Sequence, residues 1–167
     1  FEERGIAVSD HRDGTPKGYH VLEVDSTDVS VRFKAAGKPA DFQMRIMYDV
    51  MHHQQRKDAI RDSLHGTTLD GFMSEDEVAA ASILVNLYDG GPKSKVSYRV
   101  NDGNYVPMER VLRTDPYIVE QFQRYESVKK SWVQATDSTH IFSADLDDSI
   151  GPGTHTVTCL LYTSDAA

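Results

Sequence analysis

The fold is decided by a short turn and the strand pair that follows it, and the turn is the seven-residue stretch Asp13-Gly14-Thr15-Pro16-Lys17-Gly18-Tyr19. Two glycines and a proline so close together are typical of a tight turn with a preset backbone. Two β-type runs follow at residues 19–24 and 29–33, with a polar break between them. The pattern predicts a β-hairpin. It also marks a structural turn at a domain edge, formed by Asp13, Gly14, Pro16, Gly18 and Tyr19.

The apolar residues of the hairpin predict where it is buried. The second strand alternates, so we expect Val29, Val31 and Phe33 to point inward. The first strand has apolar residues on both faces, and we expect both faces to be covered. Because little chain precedes the hairpin, we interpret it as the closing edge of a domain whose body lies outside this sequence.

Composition limits the class of protein. The chain has 167 residues, 39% hydrophobic and 26% charged, which is typical of a soluble globular protein with one domain or one domain plus part of another. The net charge of −8 and the scattered Lys and Arg residues argue against nucleic-acid binding. No apolar run approaches the roughly 20 residues that a membrane span needs. The single cysteine, Cys159, excludes an internal disulfide framework.

Short strands continue beyond the hairpin. Strand-like runs begin near residues 42, 83, 95, 105 and 140, and Thr114-Asp115-Pro116 is typical of a helix start, with the helix ending near residues 129–130. Residues 50–81 lack alternation and contain a capping box at residues 74–77, so we expect an insertion with one or two short helices. The spacing of the strands predicts an immunoglobulin-like antiparallel β-sandwich with helical insertions, a mainly β fold.

The last nine residues, 159–167, do not continue the strand pattern. They resemble the translation of a sequencing adapter. We therefore expect native sequence to end near Thr158 and the last strand of the sandwich to be missing.

Several groups of residues are candidates for chemistry. Adjacent His52 and His53 point in different directions on any regular element, which favours a solvated loop pair over a metal site. Two further sets could bind a metal ion or calcium: His65 with Asp62 and Asp70, and Asp145 with Asp147 and Asp148. Neither set has the fixed spacing of a metal-binding motif, and solvated polar loops explain both equally well. No Gly-x-Ser-x-Gly elbow is present. Four aromatic residues could form a binding platform, but their placement on strands and on an amphipathic helix favours core positions. They are Tyr98, Tyr105, Tyr125 and Trp132.

Several blocks in the same order resemble the C-terminal region of bacterial calcineurin-like metallophosphoesterases that carry an all-β domain after the catalytic one, namely residues 12–19, 33–46, 90–99, 107–111 and 151–157. The resemblance implies two segments, followed by the nine residues 159–167 that resemble an adapter and that we expect not to be native. Residues 1–37 would be the last hairpin of the α/β phosphoesterase domain and residues 38–158 an accessory β-sandwich.

The resemblance also implies an activity for the parent protein. Such enzymes hydrolyse phosphoesters with two divalent metal ions, which clamp the phosphate and activate a bridging water. The implied partner is the catalytic domain of the same polypeptide, and the implied location is periplasmic or extracellular.

The sequence departs from the family at the metal ligands. Their motifs, Asp-x-His, Gly-Asp, Gly-Asn-His and Gly-His-x-His, do not occur, and the nearest strings, at residues 10–11 and 137–140, have the wrong spacing. No catalytic residue, metal ligand or cofactor is therefore assigned to this chain, and we expect it to be inactive alone. The resemblance thus implies a non-catalytic accessory part that packs on the catalytic domain. The alternative is an immunoglobulin-like binding module for carbohydrate, peptide or a cell-envelope surface.

Overall fold

A computed structural model describes residues 10–50, 78–79, 81–146 and 150–162. The predicted insertion lies almost entirely outside these residues, and with it His52, His53, Asp62, His65 and Asp70. Residues 147–149 and 163–167 also lie outside. Residues 78–79, which follow the predicted capping box, are helical.

The predicted hairpin is confirmed. Strand β1 (Gly18–Asp25) pairs antiparallel with β2 (Asp28–Ala35). Ser26, in the connection, has a positive φ of 55°, as the tight reversal of a short hairpin loop requires. Within the described residues, these two strands form a sheet of their own.

Seven further strands follow in chain order: β3 (Met44–Val50), β4 (Ala81–Leu87), β5 (Lys95–Val100), β6 (Val106–Pro107), β7 (Glu109–Thr114), β8 (Asp137–Asp145) and β9 (Val157–Tyr162). They form a four-stranded sheet in the order β3-β4-β8-β7 and a three-stranded sheet in the order β6-β5-β9. Every pairing is antiparallel.

The two sheets pack face to face through one apolar core. Ile83, Val85 and Phe142 of the four-stranded sheet share a cluster with Val96 and Tyr98 of the three-stranded sheet, and all are at most 3% exposed. Full burial of such a side chain stabilises the fold by about 1.5–3 kcal/mol. The mainly β sandwich is thus confirmed, whereas its immunoglobulin-like topology stays a prediction.

A helix, α1 (Pro116–Arg124), lies on the other side of the four-stranded sheet. Tyr117 contributes to the cluster of Met47, Leu84 and Ile141 on that side. The predicted start is confirmed, since Asp115 is the N-cap and Pro116 begins the helix. The predicted end near residues 129–130 is wrong. The backbone leaves the helical region at Tyr125, and the chain continues in turns.

The predicted single strand at residues 105–111 is wrong as well. Pro107 has no N–H for further pairing, and the run divides there into the short edge strand β6 and the longer β7. Met108, between them, is buried in the main core and donates its backbone N–H to the Val96 carbonyl at 2.9 Å. The chain thus passes from one sheet to the other at this residue.

The prediction that the last strand is missing is wrong. Residues 157–162 form β9, with Cys159 opposite Tyr98 and Leu161 opposite Val96. Val157, Cys159 and Leu161 alternate and pack against the core, so this string has the period-2 pattern of a strand. Burial raises the pKa of the Cys159 thiol to about 11. The adapter origin of residues 159–167 stays a prediction.

The burial predicted for the hairpin is wrong over most of its length. Leu22, Val24, Val29 and Val31 are 61%, 63%, 61% and 55% exposed, and burial begins only at Phe33 near the base. The alternation correctly predicts an apolar face on the hairpin, but no described residue covers that face.

The aromatic residues divide between core and surface. Tyr98 is buried, as predicted, and Tyr125 packs against the small cluster of Ile118, Phe122 and Val133. Trp132 and Tyr105 are exposed, so their prediction as core residues is wrong. In the part of the chain that the structure describes, no helix is long and apolar enough to cross a membrane.

Candidate functional site

The turn that opens the hairpin is closed by its own hydrogen bonds. Asp13 Oδ1 accepts from the backbone N–H of Thr15 at 3.0 Å, and the N–H of His11 donates to the Thr15 carbonyl at 2.7 Å. Gly14 has a φ of +86°, which glycine adopts without steric cost. A Cβ at this position would lie 2.1 Å from Asp115 Oδ2. The turn therefore requires glycine for its backbone angle and for its close approach to the helix cap.

Five polar side chains meet beneath this turn, and we name them the joint cluster: Asp13 of the turn, Arg45 of β3, Asn86 of β4, Asp115 at the start of α1 and His140 of β8. Asn86 and Asp115 are 0% exposed. Buried polar groups are costly unless they are hydrogen-bonded, so each contact in the cluster has energetic weight.

Asn86 is the centre of the network. Its Nδ2 group donates to the Asp13 backbone carbonyl at 3.1 Å and to the Asp115 carboxylate. Because both donor bonds of the amide are used, its Oδ1 is an acceptor. His140 Nδ1 lies 2.9 Å from this Oδ1. The network therefore assigns a proton to Nδ1 of His140.

The other ring nitrogen of His140 faces the turn. Nε2 lies 3.3 Å from Asp13 Oδ2 and 3.5 Å from Thr15 Oγ1. An ionised carboxylate only accepts, so the contact with Asp13 is a hydrogen bond when Nε2 also carries a proton. The hydrogen bond from His140 holds the pKa of Asp13 well below 3.8, helped by the Thr15 N–H and opposed by burial.

Arg45 connects the turn to the helix start. Its Nη1 donates to the Gly14 carbonyl at 2.8 Å and to Asp115 Oδ2 at 3.3 Å, and its Nη2 donates to Asp10 Oδ2 at 3.2 Å. Its Cζ lies 3.8 Å from the centre of the Tyr117 ring, within cation–π range. Burial raises the pKa of Asp10, while Arg45 acts in the opposite direction.

Asp115 has two roles at once. Its Oδ1 accepts from the Tyr117 N–H at 2.8 Å and so caps α1, while its Oδ2 accepts from Asn86 and Arg45. One carboxylate thus fixes the helix start and the turn in the same place.

The base of the hairpin is held by a second set of contacts. The Phe33 ring packs on Tyr88 at 5.8 Å between centroids, and Phe42 packs on the same ring at 5.3 Å. Gln43 Nε2 donates to the Phe33 carbonyl at 2.8 Å. Arg12 Nε, just before the turn, donates to the Gln134 carbonyl at 2.6 Å. Apolar and polar contacts together fix the hairpin base on the sandwich.

The predicted turn residues are not all brought together. Asp13 contacts His140, and the Gly14 carbonyl accepts from Arg45, so both residues take part in the joint cluster. Pro16 is buried. Gly18 lies at the start of β1, where a Cβ would be 2.5 Å from the Lys34 carbonyl oxygen. Tyr19 is 58% exposed and lies outside the cluster. The role of these residues at a domain edge stays a prediction.

Sequence reasoning missed Arg45, Asn86 and His140 as partners of the turn. Asn86 had a visible signal, because it is the polar residue in the apolar run Ile83–Tyr88. His140 belongs to one of the strings rejected as metal motifs, and the structure places it against Asp13.

The cluster joins the turn to the four-stranded sheet and to the start of α1. Its polar atoms bond to one another and to the backbone of the turn. Among the residues that the structure describes, no group of three or more His, Cys, Asp or Glu side chains could hold a metal ion. Asp145, from the candidate calcium set, accepts from Ser82 Oγ at 3.2 Å, and Asp147 and Asp148 lie outside the described residues. Within the described ranges, no set of side chains fits the two-metal centre that the resemblance implies for the parent.

Comparison with known proteins gives one family. Its sequence model, described as the C terminal of calcineurin-like phosphoesterase, matches residues 1–163. No curated protein and no solved structure matches the chain.

Proposed function

The chain belongs to the family of C-terminal regions of calcineurin-like phosphoesterases, and on that premise we propose that it is the non-catalytic accessory part of a metal-dependent phosphoesterase and packs on the catalytic domain of the same polypeptide. In this proposal the metal ions and the chemistry belong to the catalytic domain. Export to the periplasm or the extracellular space is part of the proposal.

The joint cluster is the observation that supports this role. It ties the turn, the four-stranded sheet and the start of α1 into one unit. Buried hydrogen bonds of this kind restrict the relative orientation of the groups they join. An element that leaves the sandwich at this turn therefore leaves it in a defined direction, as an accessory domain that positions a neighbour requires.

Two measurements test the proposal. The first is hydrolysis of an aryl phosphate by this chain with Mn²⁺ or Zn²⁺ added, and we expect none; metal-dependent turnover would show that the chemistry is in this chain. The second is the reading frame upstream of Phe1. We expect the family's metal-ligand motifs there, together with a secretion signal at its start. An unrelated upstream domain would contradict the proposed function.

A second candidate function, binding of an acidic carbohydrate, is favoured by one cleft of about 520 Å³ between the sheets. Its floor contains Val96, Met108 and Phe142, and Lys95 and Arg110 also line it. None of the described residues that line the cleft is acidic, although the chain has a net charge of −8. A glycan array with the chain and its Lys95→Ala/Arg110→Ala variant tests this function. Binding of acidic glycans that the variant loses would support it, and no binding would leave the accessory role alone.

A further inference from the structure

The two faces of the hairpin differ in composition. In the β1–β2 register, Leu22 lies opposite Val31 and Val24 opposite Val29. Directly opposed residues share a face of an antiparallel pair, so these four side chains form one continuous surface, which we name the hairpin face. The other face is mixed, with Tyr19 opposite Lys34, Val21 opposite Arg32 and Glu23 opposite Ser30.

The hairpin face is exposed, with all four of its side chains between 55% and 63% exposed. Both outer edges of the hairpin are also unpaired within the described residues, because β1 and β2 pair only with each other. An isolated two-stranded hairpin is marginally stable in water. A clustered apolar surface on such an element is typical of a contact site.

The size of the hairpin face and the way the hairpin is anchored indicate which kind of partner covers it. A stable contact between separate molecules uses about 20–30 residues on each side, and four side chains are far fewer. A domain of the same polypeptide needs less contact, since the tether supplies an effective concentration in the millimolar range. The turn that leads into the hairpin is already fixed by the joint cluster, and the hairpin base is fixed by Phe33 on Tyr88. Little further ordering is needed when the face is covered.

We propose that the hairpin face of Leu22, Val24, Val29 and Val31 is the surface on which the catalytic phosphoesterase domain docks. This inference rests on the proposed function and adds the contact that joins the two parts. The face is apolar, so the opposing patch on the catalytic domain is apolar too. The mixed face of the hairpin stays in solvent.

The test compares the same substitution in two settings. Leu22→Glu places a charge on the hairpin face, and Tyr19→Glu is the matched control on the other face, because the two side chains are similarly exposed. Hydrogen exchange of the hairpin amides is measured in this chain and in the full-length phosphoesterase. We expect exchange at least about tenfold slower in the full-length protein, as covering an exposed segment requires.

Leu22→Glu should remove this protection in the full-length protein, whereas Tyr19→Glu should keep it. In this chain alone, neither variant should change the midpoint of unfolding appreciably. Equal exchange in the two settings, or equal effects of the two variants, would overturn docking on this face. The proposed function would survive that result if the metal-ligand motifs lie upstream.

The alternative partner is a second copy of the chain, and analytical ultracentrifugation tests it by measuring the oligomeric state. A dimer that Leu22→Glu converts to a monomer would assign the face to a second copy and would overturn the proposal. We expect a monomer for both variants and for the unmodified chain.

Discussion

Replacement of Gly14 by alanine tests whether the turn and the helix cap are packed as closely as the structure shows. The new Cβ would lie 2.1 Å from Asp115 Oδ2 and 2.5 Å from its Cγ, distances that force the carboxylate to move. The positive φ of Gly14 costs an L-residue about 1–2 kcal/mol. Displacement of Asp115 weakens its bonds with Asn86 and Arg45, and hydrogen bonds to charged groups contribute about 1.5–3 kcal/mol each. We expect Gly14→Ala to lower the free energy of unfolding by about 4 kcal/mol or more.

Gly37 is the matched control. Its φ is +70°, but a Cβ there would have no atom within 4 Å. Gly37→Ala should therefore show the backbone term alone, about 1–2 kcal/mol. Equilibrium unfolding in urea, followed by far-UV circular dichroism, gives both values. The effect of alanine on the unfolded chain is common to the two variants, so their difference isolates the contact with Asp115.

A double-mutant cycle sharpens the test. In an Asp115→Gly background the Asp115 Cβ, which would lie 2.7 Å from the new Cβ, is removed together with the carboxylate, so Gly14→Ala should cost only its backbone term, similar to Gly37→Ala. The reasoning is refuted if Gly14→Ala costs no more than Gly37→Ala in the original chain. It is also refuted if the cost of Gly14→Ala is unchanged by removal of the Asp115 side chain.

Three further variants address the same region. The hydrogen bond from His140 holds the pKa of Asp13 below 3.8, so the ionised carboxylate stabilises the fold above about pH 4, and this contribution is lost as the pH falls through the folded-state pKa. Asp13→Asn should therefore reduce the loss of unfolding free energy between pH 6 and pH 2.5, measured by urea titrations. An unchanged pH dependence would contradict the assignment. Asp115→Ala removes the helix cap and a buried charge partner, so it should cost about 3–5 kcal/mol, whereas Asp89→Ala, at a half-exposed carboxylate, should cost under about 1 kcal/mol. The Tyr88 hydroxyl is buried without a hydrogen-bond partner among the described residues, so Tyr88→Phe should raise the melting temperature, gaining about 1 kcal/mol; a clear loss of stability would show that the hydroxyl is bonded.

The strands and the helix start were predictable because their signals are local. Alternation predicts the hairpin and the strand at residues 95–100, a nearly continuous apolar run predicts the strand at residues 83–88, and a capping residue before proline predicts the start of α1 at Asp115. The coverage of the hairpin was not predictable in this way. Alternation shows that Val29 and Val31 share a face, but whether that face is buried depends on what lies against it.

The joint cluster was not predictable because its members are far apart in sequence. Asp13 meets His140 across 127 positions and Asn86 across 73, and no local pattern specifies such pairings. The tail shows the converse error. Residues 159–162 resemble an adapter and are not expected to continue a strand, yet Cys159 and Leu161 take alternate positions of β9 that pack against the core.

The polar and apolar contacts at the turn contribute in different ways. Burial of charged groups costs desolvation energy that their pairing largely offsets, so such clusters add little net stability compared with apolar residues of the same size. The packing of Phe33 and Phe42 on Tyr88 is less directional and contributes through burial. The hydrogen bonds of Asn86 and Arg45 are directional, and each is satisfied in one arrangement of turn, sheet and helix. The apolar contacts therefore hold the hairpin base on the sandwich, and the joint cluster sets its direction. A hairpin that carries an exposed apolar face needs both if that face is to meet a neighbouring domain in one orientation.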